Sequence, residues 1–128
     1  MSRSELKHFN MIREAHPEVM ADLTPFRLSI PLGWMPLLNR LCVHLEEHGH
    51  ASGKPVAKIF GVNEKRGQMQ VFLTSSDDDQ VIEIVEGLTA ESTQTCRVCS
   101  AKASKSVIAG KMYVVCKVHL EAHAGAAE

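Results

Sequence analysis

The sequence is poor in aromatic residues and has no long apolar run. One Trp, one Tyr and four Phe make up 5% of its 128 residues. No apolar segment approaches the roughly 20 residues that a membrane-spanning helix needs. The polar start, Met1 to Lys7, does not resemble a secretory leader. We therefore expect a protein of the cytoplasm that does not associate with a membrane.

The patterns that usually mark an enzyme are also missing. The sequence contains no glycine-rich phosphate loop, no G-x-S-x-G nucleophile motif and no H-E-x-x-H motif. The deaminase pattern, H-x-E followed by P-C-x-x-C, is absent as well. We therefore predict no enzymatic activity, and a zinc hydrolase is the alternative.

The sequence does contain two short pairs of metal-ligating residues near its C-terminus. Cys96 and Cys99 form a C-x-x-C pair. After sixteen intervening residues, Cys116 and His119 form a C-x-x-H pair. A Cys₃His set in two such pairs is typical of a closed, tetrahedral Zn²⁺ site with a structural role. A catalytic zinc usually has three protein ligands and an open position, which makes it the less favoured reading. His123 is an alternative to His119 as the fourth ligand.

The length fits one domain, residues 1–128, near the size at which a metal adds appreciably to stability. We divide it into an α+β body, residues 1–95, and a zinc-binding module, residues 96–123. Apolar residues at 45% and charged residues at 23% are ordinary for a globular protein.

Three helices are predicted in the body. Ser2 and Glu5 fit a capping box that opens a helix over about residues 4–15. A second helix begins near Trp34–Pro36, and Gly49 is expected to end it. The acidic run Asp77–Asp79 suits the start of a third helix that reaches about Ser92, although it also allows a divalent-cation site. The apolar stripe of the second helix includes Cys42, which we expect to be a buried thiol.

Period-2 alternation predicts a β-hairpin between the second and third helices. Its strands are Val56–Val62 and Gln68–Thr74, and its turn is Asn63–Gly67. Within the zinc-binding module, two shorter strands (Ser106–Ile108 and Met112–Val115) are expected. The second ligand pair then opens a brief helix that continues after His119. The predicted fold is therefore α+β, with helices packed on a small antiparallel hairpin sheet and a C-terminal treble-clef-like zinc finger. A zinc ribbon is compatible with the same spacing.

Charge is distributed unevenly along the chain. Residues 1–95 have nine basic and thirteen acidic side chains, whereas residues 96–119 have five basic and no acidic ones. Such a basic module attracts a phosphate backbone or an acidic protein surface, or rests on its own acidic body. The candidate contact residues are Arg97, Lys102, Lys105, Lys111 and Lys117, with Lys65 and Arg66 of the hairpin turn.

His44, His48 and His50 suggest a second metal site. His44 and His48 are four residues apart and therefore share one helical face. Surface histidines without a metal are the commoner outcome for this pattern.

Three segments resemble a family of small uncharacterised proteins of bacteria and their phages. Gly33–Cys42 matches its G-W-x-P-L-L-x-x-L-C helix, Asn63–Phe72 its hairpin, and Ser92–Ser100 with Cys116–His119 its C-x-x-C and C-x-x-H segments. The resemblance covers about residues 30–119. It implies the zinc site and the fold, but it gives no information about an activity.

The chain departs from the family pattern at the hairpin and after the second cysteine. Arg66 replaces an aromatic residue, Gln70 an arginine, and Ser100 a glycine. Any functional face on the family's hairpin would therefore be altered here. We predict a zinc-stabilised protein-interaction module, such as a phage or mobile-element factor that modulates a host protein. A nucleic-acid-binding zinc finger is the alternative.

Overall fold

The computed structural model describes residues 2–74 and 76–126, with side chains to residue 122. The predicted α+β class is confirmed. The helices are α1 (Arg3–Ala15), α2 (Met35–Ser52), α3 (Asp79–Ser92) and α4 (Lys117–Ala126). The strands are β1 (Leu28–Ser29), β2 (Ile59–Lys65), β3 (Gln68–Leu73), β4 (Ser104–Ile108) and β5 (Lys111–Val115). None of the helices described is long and apolar enough to cross a membrane.

Helix α1 begins with the predicted cap. The backbone N–H of Glu5 donates to Ser2 Oγ at 3.1 Å, which satisfies one of the free amides of the first turn. Phe9 and Ile12 lie on the buried face. The helix ends before His16, because Pro17 disfavours helical geometry in the preceding residue.

Helix α2 is longer than the sequence indicates. It continues past Gly49 to Ser52, and Gly53 with φ of 70° ends it in the left-handed conformation. The prediction that Gly49 ends the helix is wrong. Gly49 is buried where a Cβ atom would lie 2.8 Å from Val56 Cγ2, so this glycine allows the chain to pack closely against α2.

The main sheet has the order β1-β2-β3. Strands β2 and β3 form the expected antiparallel hairpin, but β2 begins at Ile59 rather than Val56. The turn is only two residues long, since Arg66 and Gly67 both have positive φ, as a type I′ turn requires. The short parallel strand β1 was not predicted.

The core lies between the sheet and helices α1, α2 and α3. The largest fully buried side chains include Trp34, Phe9 and Met20. Cys42 is also fully buried, as expected, and burial raises the pKa of its thiol to about 12, with a further contribution from Glu46.

Helix α3 begins as the acidic run indicates. The Asp78 carboxylate caps it by accepting the N–H of Gln80 at 3.0 Å. The same carboxylate pairs with His48 Nε2 at 2.8 Å and with Lys54 Nζ at 3.4 Å. The hydrogen bond from His48 is the main reason that the pKa of Asp78 falls to about 2. The acidic run therefore serves as a helix cap.

After α3, the chain forms a tight turn, the β4–β5 hairpin and α4. Ala109 and Gly110 link the two strands and both have positive φ, which again fits a two-residue turn. Both strands are longer than predicted. Helix α4 starts at Lys117, so the second ligand pair stands at its N-terminus, as expected.

Candidate metal centre

The four predicted ligands come from three local structures that converge. Cys96 and Cys99 belong to a tight turn, residues 96–100, which we call the knuckle. Cys116 follows β5 directly, and His119 lies in the first turn of α4. A turn and a helix start place two donors each on the same side of the chain, which explains the two short spacings.

The donor atoms have the spacing of a tetrahedral site. The four atoms all lie within 4.8 Å of one another. Cys99 Sγ and Cys116 Sγ are 3.8 Å apart, and His119 Nδ1 is 3.6 Å from Cys96 Sγ and 3.2 Å from Cys116 Sγ. Metal–ligand bonds of about 2.3 Å to sulfur and about 2.0 Å to nitrogen give tetrahedral edges of about 3.8 and 3.5 Å. All four cysteines of the chain are free thiols. The donors therefore fit one tetrahedrally coordinated ion.

Backbone amides of the knuckle favour a thiolate at Cys96. Burial of this side chain opposes ionisation, but N–H groups of neighbouring residues outweigh it and lower the pKa of Cys96 to about 6. One of them, the N–H of Val98, lies 3.4 Å from Cys96 Sγ. Such amide hydrogen bonds also stabilise a metal-bound thiolate.

The other donors influence one another. The pKa of Cys116 is lowered, first by the backbone N–H of His119 and then by the imidazole of the same residue. The hydrogen bond with Cys116 in turn raises the pKa of His119. At Cys99, the N–H of Ala101 favours the thiolate, but desolvation and the neighbouring thiols raise the pKa. The three sulfurs therefore compete for negative charge, and a divalent cation relieves this competition.

The knuckle is fixed to the body at the start of α2. The N–H of Gly33 donates to Arg97 O at 2.8 Å, and Ser100 Oγ donates to Gly33 O at 2.6 Å. The indole N–H of Trp34 donates to Thr95 O at 2.9 Å. A Cβ atom on Gly33 would lie 2.3 Å from the carbonyl oxygen of Cys96. Gly33, Trp34 and the candidate metal site thus form one structural unit.

Arg97 is engaged within the molecule, unlike the other candidate contact residues. Its guanidinium lies 3.5 Å from Glu64 Oε1 and 4.6 Å from the centre of the Tyr113 ring. It therefore links the knuckle to β2 and β5.

The other six candidate contact residues are exposed and form no ion pair within the described part of the chain. They are Lys65, Arg66, Lys102, Lys105, Lys111 and Lys117. The structure brings two hairpins together among them: a Cβ on Gly67 would lie 3.6 Å from the Lys105 side chain and 3.3 Å from Met112 Cγ. The turn of the first hairpin, Arg66–Gly67, therefore lies against Lys105 of the second.

The alternative ligands form no second centre. His48 is paired with Asp78, while His44 and His50 are exposed. Among the residues with described side chains, the Cys₃His set is the one group suited to a metal ion. The side chain of His123 lies outside the described residues.

A groove beside the knuckle was not predicted from the sequence. It has a volume of about 510 Å³ and lies between α1, the start of α2 and the knuckle. Its apolar lining includes Met11, Leu32, Pro36 and Val98. Met11 is 56% exposed and Val98 46% exposed. We call it the knuckle groove. Its walls come from segments that are far apart in the sequence. The one feature of the sequence that indicates the groove is Val98, an apolar residue between the two cysteines of the knuckle.

The chain matches no protein-family model, no curated protein and no solved structure with which it was compared.

Proposed function

We propose that the chain is a zinc-stabilised protein-interaction module. Cys96, Cys99, Cys116 and His119 hold one Zn²⁺, which supplies a cross-link between the knuckle and α4. The observation that carries the proposal is the convergence of these four donors beside an apolar groove that the knuckle helps to form.

The donor set supports zinc and a structural role. Three thiolates and an imidazole suit Zn²⁺, whereas Mg²⁺ and Ca²⁺ prefer oxygen ligands. Four protein ligands leave no position for a reacting water, which supports a protein without zinc-hydrolase activity.

The order of knuckle, hairpin and helix supports a treble-clef-like finger. Free thiols suit a reducing compartment, and we propose the cytoplasm.

The knuckle groove supports a protein partner. Apolar surface of this kind, gathered in one concave place, commonly marks an interaction site. We propose that the chain is a phage or mobile-element factor and that its partner is a host protein, which it modulates. The phage origin rests on the resemblance of Gly33–Cys42, Asn63–Phe72 and the ligand pairs to the phage-associated family.

The experiment is a pull-down with the zinc-loaded chain and two single variants. Val98→Asp places a charge in the groove without removing a ligand, and Val107→Asp, at another exposed valine, is the matched control. We expect partners retained by the wild type and by Val107→Asp to be lost by Val98→Asp. Equal retention by all three proteins would argue against the groove as the binding site.

A nucleic-acid-binding function is the second candidate, because the turn that follows Lys65 and contains Arg66 packs at Gly67 against the exposed Lys105 of the other hairpin. Its test is binding of a labelled duplex and a labelled single strand over a range of salt concentrations. In a Lys65→Glu/Lys105→Glu variant, the slope of log affinity against log salt concentration should fall by the amount expected for the loss of about one to two phosphate contacts. Lys7→Glu/Lys58→Glu is the charge-matched control. Absence of binding at about 0.1 M salt would contradict this second candidate and leave protein binding as the one remaining proposal.

A further inference from the structure

Strand β3 is an edge strand with an open stretch of backbone. It pairs with β2 on one side only. Lys65 and Gln68 flank the two-residue turn and form a hydrogen-bonded pair, so the backbone groups of Met69 and Val71 point away from β2. The N–H of Met69 is satisfied by Ser92 Oγ of α3 at 2.9 Å. The outward N–H and C=O of Val71 have no such partner among the hydrogen bonds of the described chain.

Beyond the part covered by α3, the strand also lacks the charged residues and prolines that often protect an edge. Natural edge strands commonly contain lysine or proline, because these residues prevent pairing with another chain. The sequence of β3, Gln-Met-Gln-Val-Phe-Leu, has neither a charge nor a proline. It is therefore suited to accept an additional strand.

A second groove, which we call the strand groove, lies along this edge. It has a volume of about 380 Å³, and its lining includes Val71, Phe72, Leu73, Ile82 and Val85. Phe72 is 42% exposed and Ile82 is 41% exposed. One wall is therefore formed by β3 together with Phe60 of β2, and the other by α3. The strand groove shares no lining residue with the knuckle groove.

The helix wall of the strand groove is acidic. Glu86 lines it, and Glu83, one turn earlier on α3, is also exposed. On the sheet wall, the Arg27 guanidinium lies 5.6 Å from the centre of the Phe60 ring. Helix α3 has no basic residue from Asp79 to Ser92. A segment that occupies the groove would be favoured by lysine or arginine side chains opposite these carboxylates.

We propose that the strand groove binds an extended segment of a partner protein as a fourth strand of the sheet. Main-chain hydrogen bonds to Val71 hold the segment, alternate apolar side chains enter the groove, and a basic side chain faces Glu83 and Glu86. A second copy of the chain fits less well, since paired β3 strands would bring the acidic α3 helices of both copies together. This inference rests on the proposed protein-binding function and adds a second surface to it.

The test is selection of binders from a displayed random heptapeptide library with the full, zinc-loaded chain. Enriched peptides are then labelled and titrated against Val71→Pro, which removes the outward N–H, and against Glu83→Lys/Glu86→Lys. The charge-matched control is Glu14→Lys/Glu18→Lys, at exposed sites outside the groove. Circular dichroism establishes that each variant is folded. Exchange of the Val71 amide, measured on the wild type with and without peptide, gives an answer even where Val71→Pro does not fold.

We expect peptides with alternating apolar residues and at least one lysine or arginine. Their affinity should fall about tenfold in Val71→Pro and in the charge-reversed variant, and change little in the control. Peptide should also slow exchange of the Val71 amide. Lack of enrichment, equal binding by all variants or unchanged exchange would overturn the proposal. Dimerisation of the wild type that Val71→Pro abolishes would overturn it in favour of a second copy. None of these results bears on the Val98→Asp test, so failure here is distinguishable from failure of the proposed function.

Discussion

The body packs tightly against the knuckle at Gly33, and Gly33→Ala should therefore disrupt the candidate metal site. The added Cβ would lie 2.3 Å from Cys96 O, 2.5 Å from Arg97 C and 2.6 Å from Arg97 O. Cβ atoms essentially never come within 3.0 Å of such atoms, so the knuckle must retreat by about 0.7 Å. The neighbours are backbone atoms, which no side-chain rotation can move aside.

The expected loss of stability has two parts. Overpacking of a well-packed contact costs about 1–3 kcal/mol. Displacement also weakens the Gly33–Arg97 and Ser100–Gly33 hydrogen bonds, which contribute about 1 kcal/mol each. The sum is about 3–5 kcal/mol. This is a large share of the free energy of unfolding of a typical domain, which is about 5–15 kcal/mol. Because the docked knuckle presents two ligands, zinc affinity should fall at least about tenfold.

Urea unfolding and zinc competition measure these two effects. Trp34 is the single tryptophan, is fully buried and donates to Thr95 O beside the metal site, so its fluorescence reports both unfolding and release of the knuckle. Gly87→Ala is the matched control: its Cβ meets no atom within 4 Å, and α3 should gain about 0.5–1 kcal/mol. A Gly33→Ala protein with wild-type stability and zinc affinity would refute the reasoning.

Three further predictions concern Trp34, Cys42 and Asp78. Trp34→Phe should lower the free energy of unfolding by about 1 kcal/mol in urea, since Thr95 O loses its donor, and Trp34→Ala by about 3–5 kcal/mol. Cys42 should not react with a thiol reagent until the protein unfolds, because burial raises its pKa to about 12; rapid reaction of the native protein would show that it is accessible. The pKa of Asp78, lowered mainly by His48, means that its stabilising effect is present above pH 3.8 and is lost as the pH falls towards 2. Carboxyl NMR should show this pKa rising in His48→Ala, and an unchanged value would contradict the assigned cause.

Local signals in the sequence predict much of the fold. The Ser2 cap, the acidic start of α3 and the alternation in β3 each depend on neighbouring residues, and each appears in the structure. Spacing alone likewise predicts that the four donor residues come together, because a tetrahedral site restricts which spacings allow donors to converge.

Features that depend on distant contacts were missed. Gly49 looks like a helix end, but its role is to let Val56 approach α2. Strand β1 has only two residues and exists because Leu28 pairs with Val62, far along the chain. Neither contact leaves a periodic signal in the sequence.

The metal site shows the same distinction. The sequence indicates the ligands but not why Gly33 and Trp34 accompany them; the structure shows that these residues hold the knuckle. Ser100 has φ of 69°, a conformation that favours glycine, and its hydroxyl bonds to Gly33 O. The resemblance would place a glycine here, so the serine combines backbone strain with an added hydrogen bond.

Metal content is the most direct test of the central claim. Native mass spectrometry of the purified chain, with and without a chelator, should show one zinc ion per chain, and removal of zinc should shift the emission of Trp34. A Cys116→Ser variant should bind zinc far more weakly, whereas Cys42→Ser should retain it, since Cys42 is not among the four converging donors. A chain that binds no zinc, or that binds it equally well in Cys116→Ser, would contradict the account.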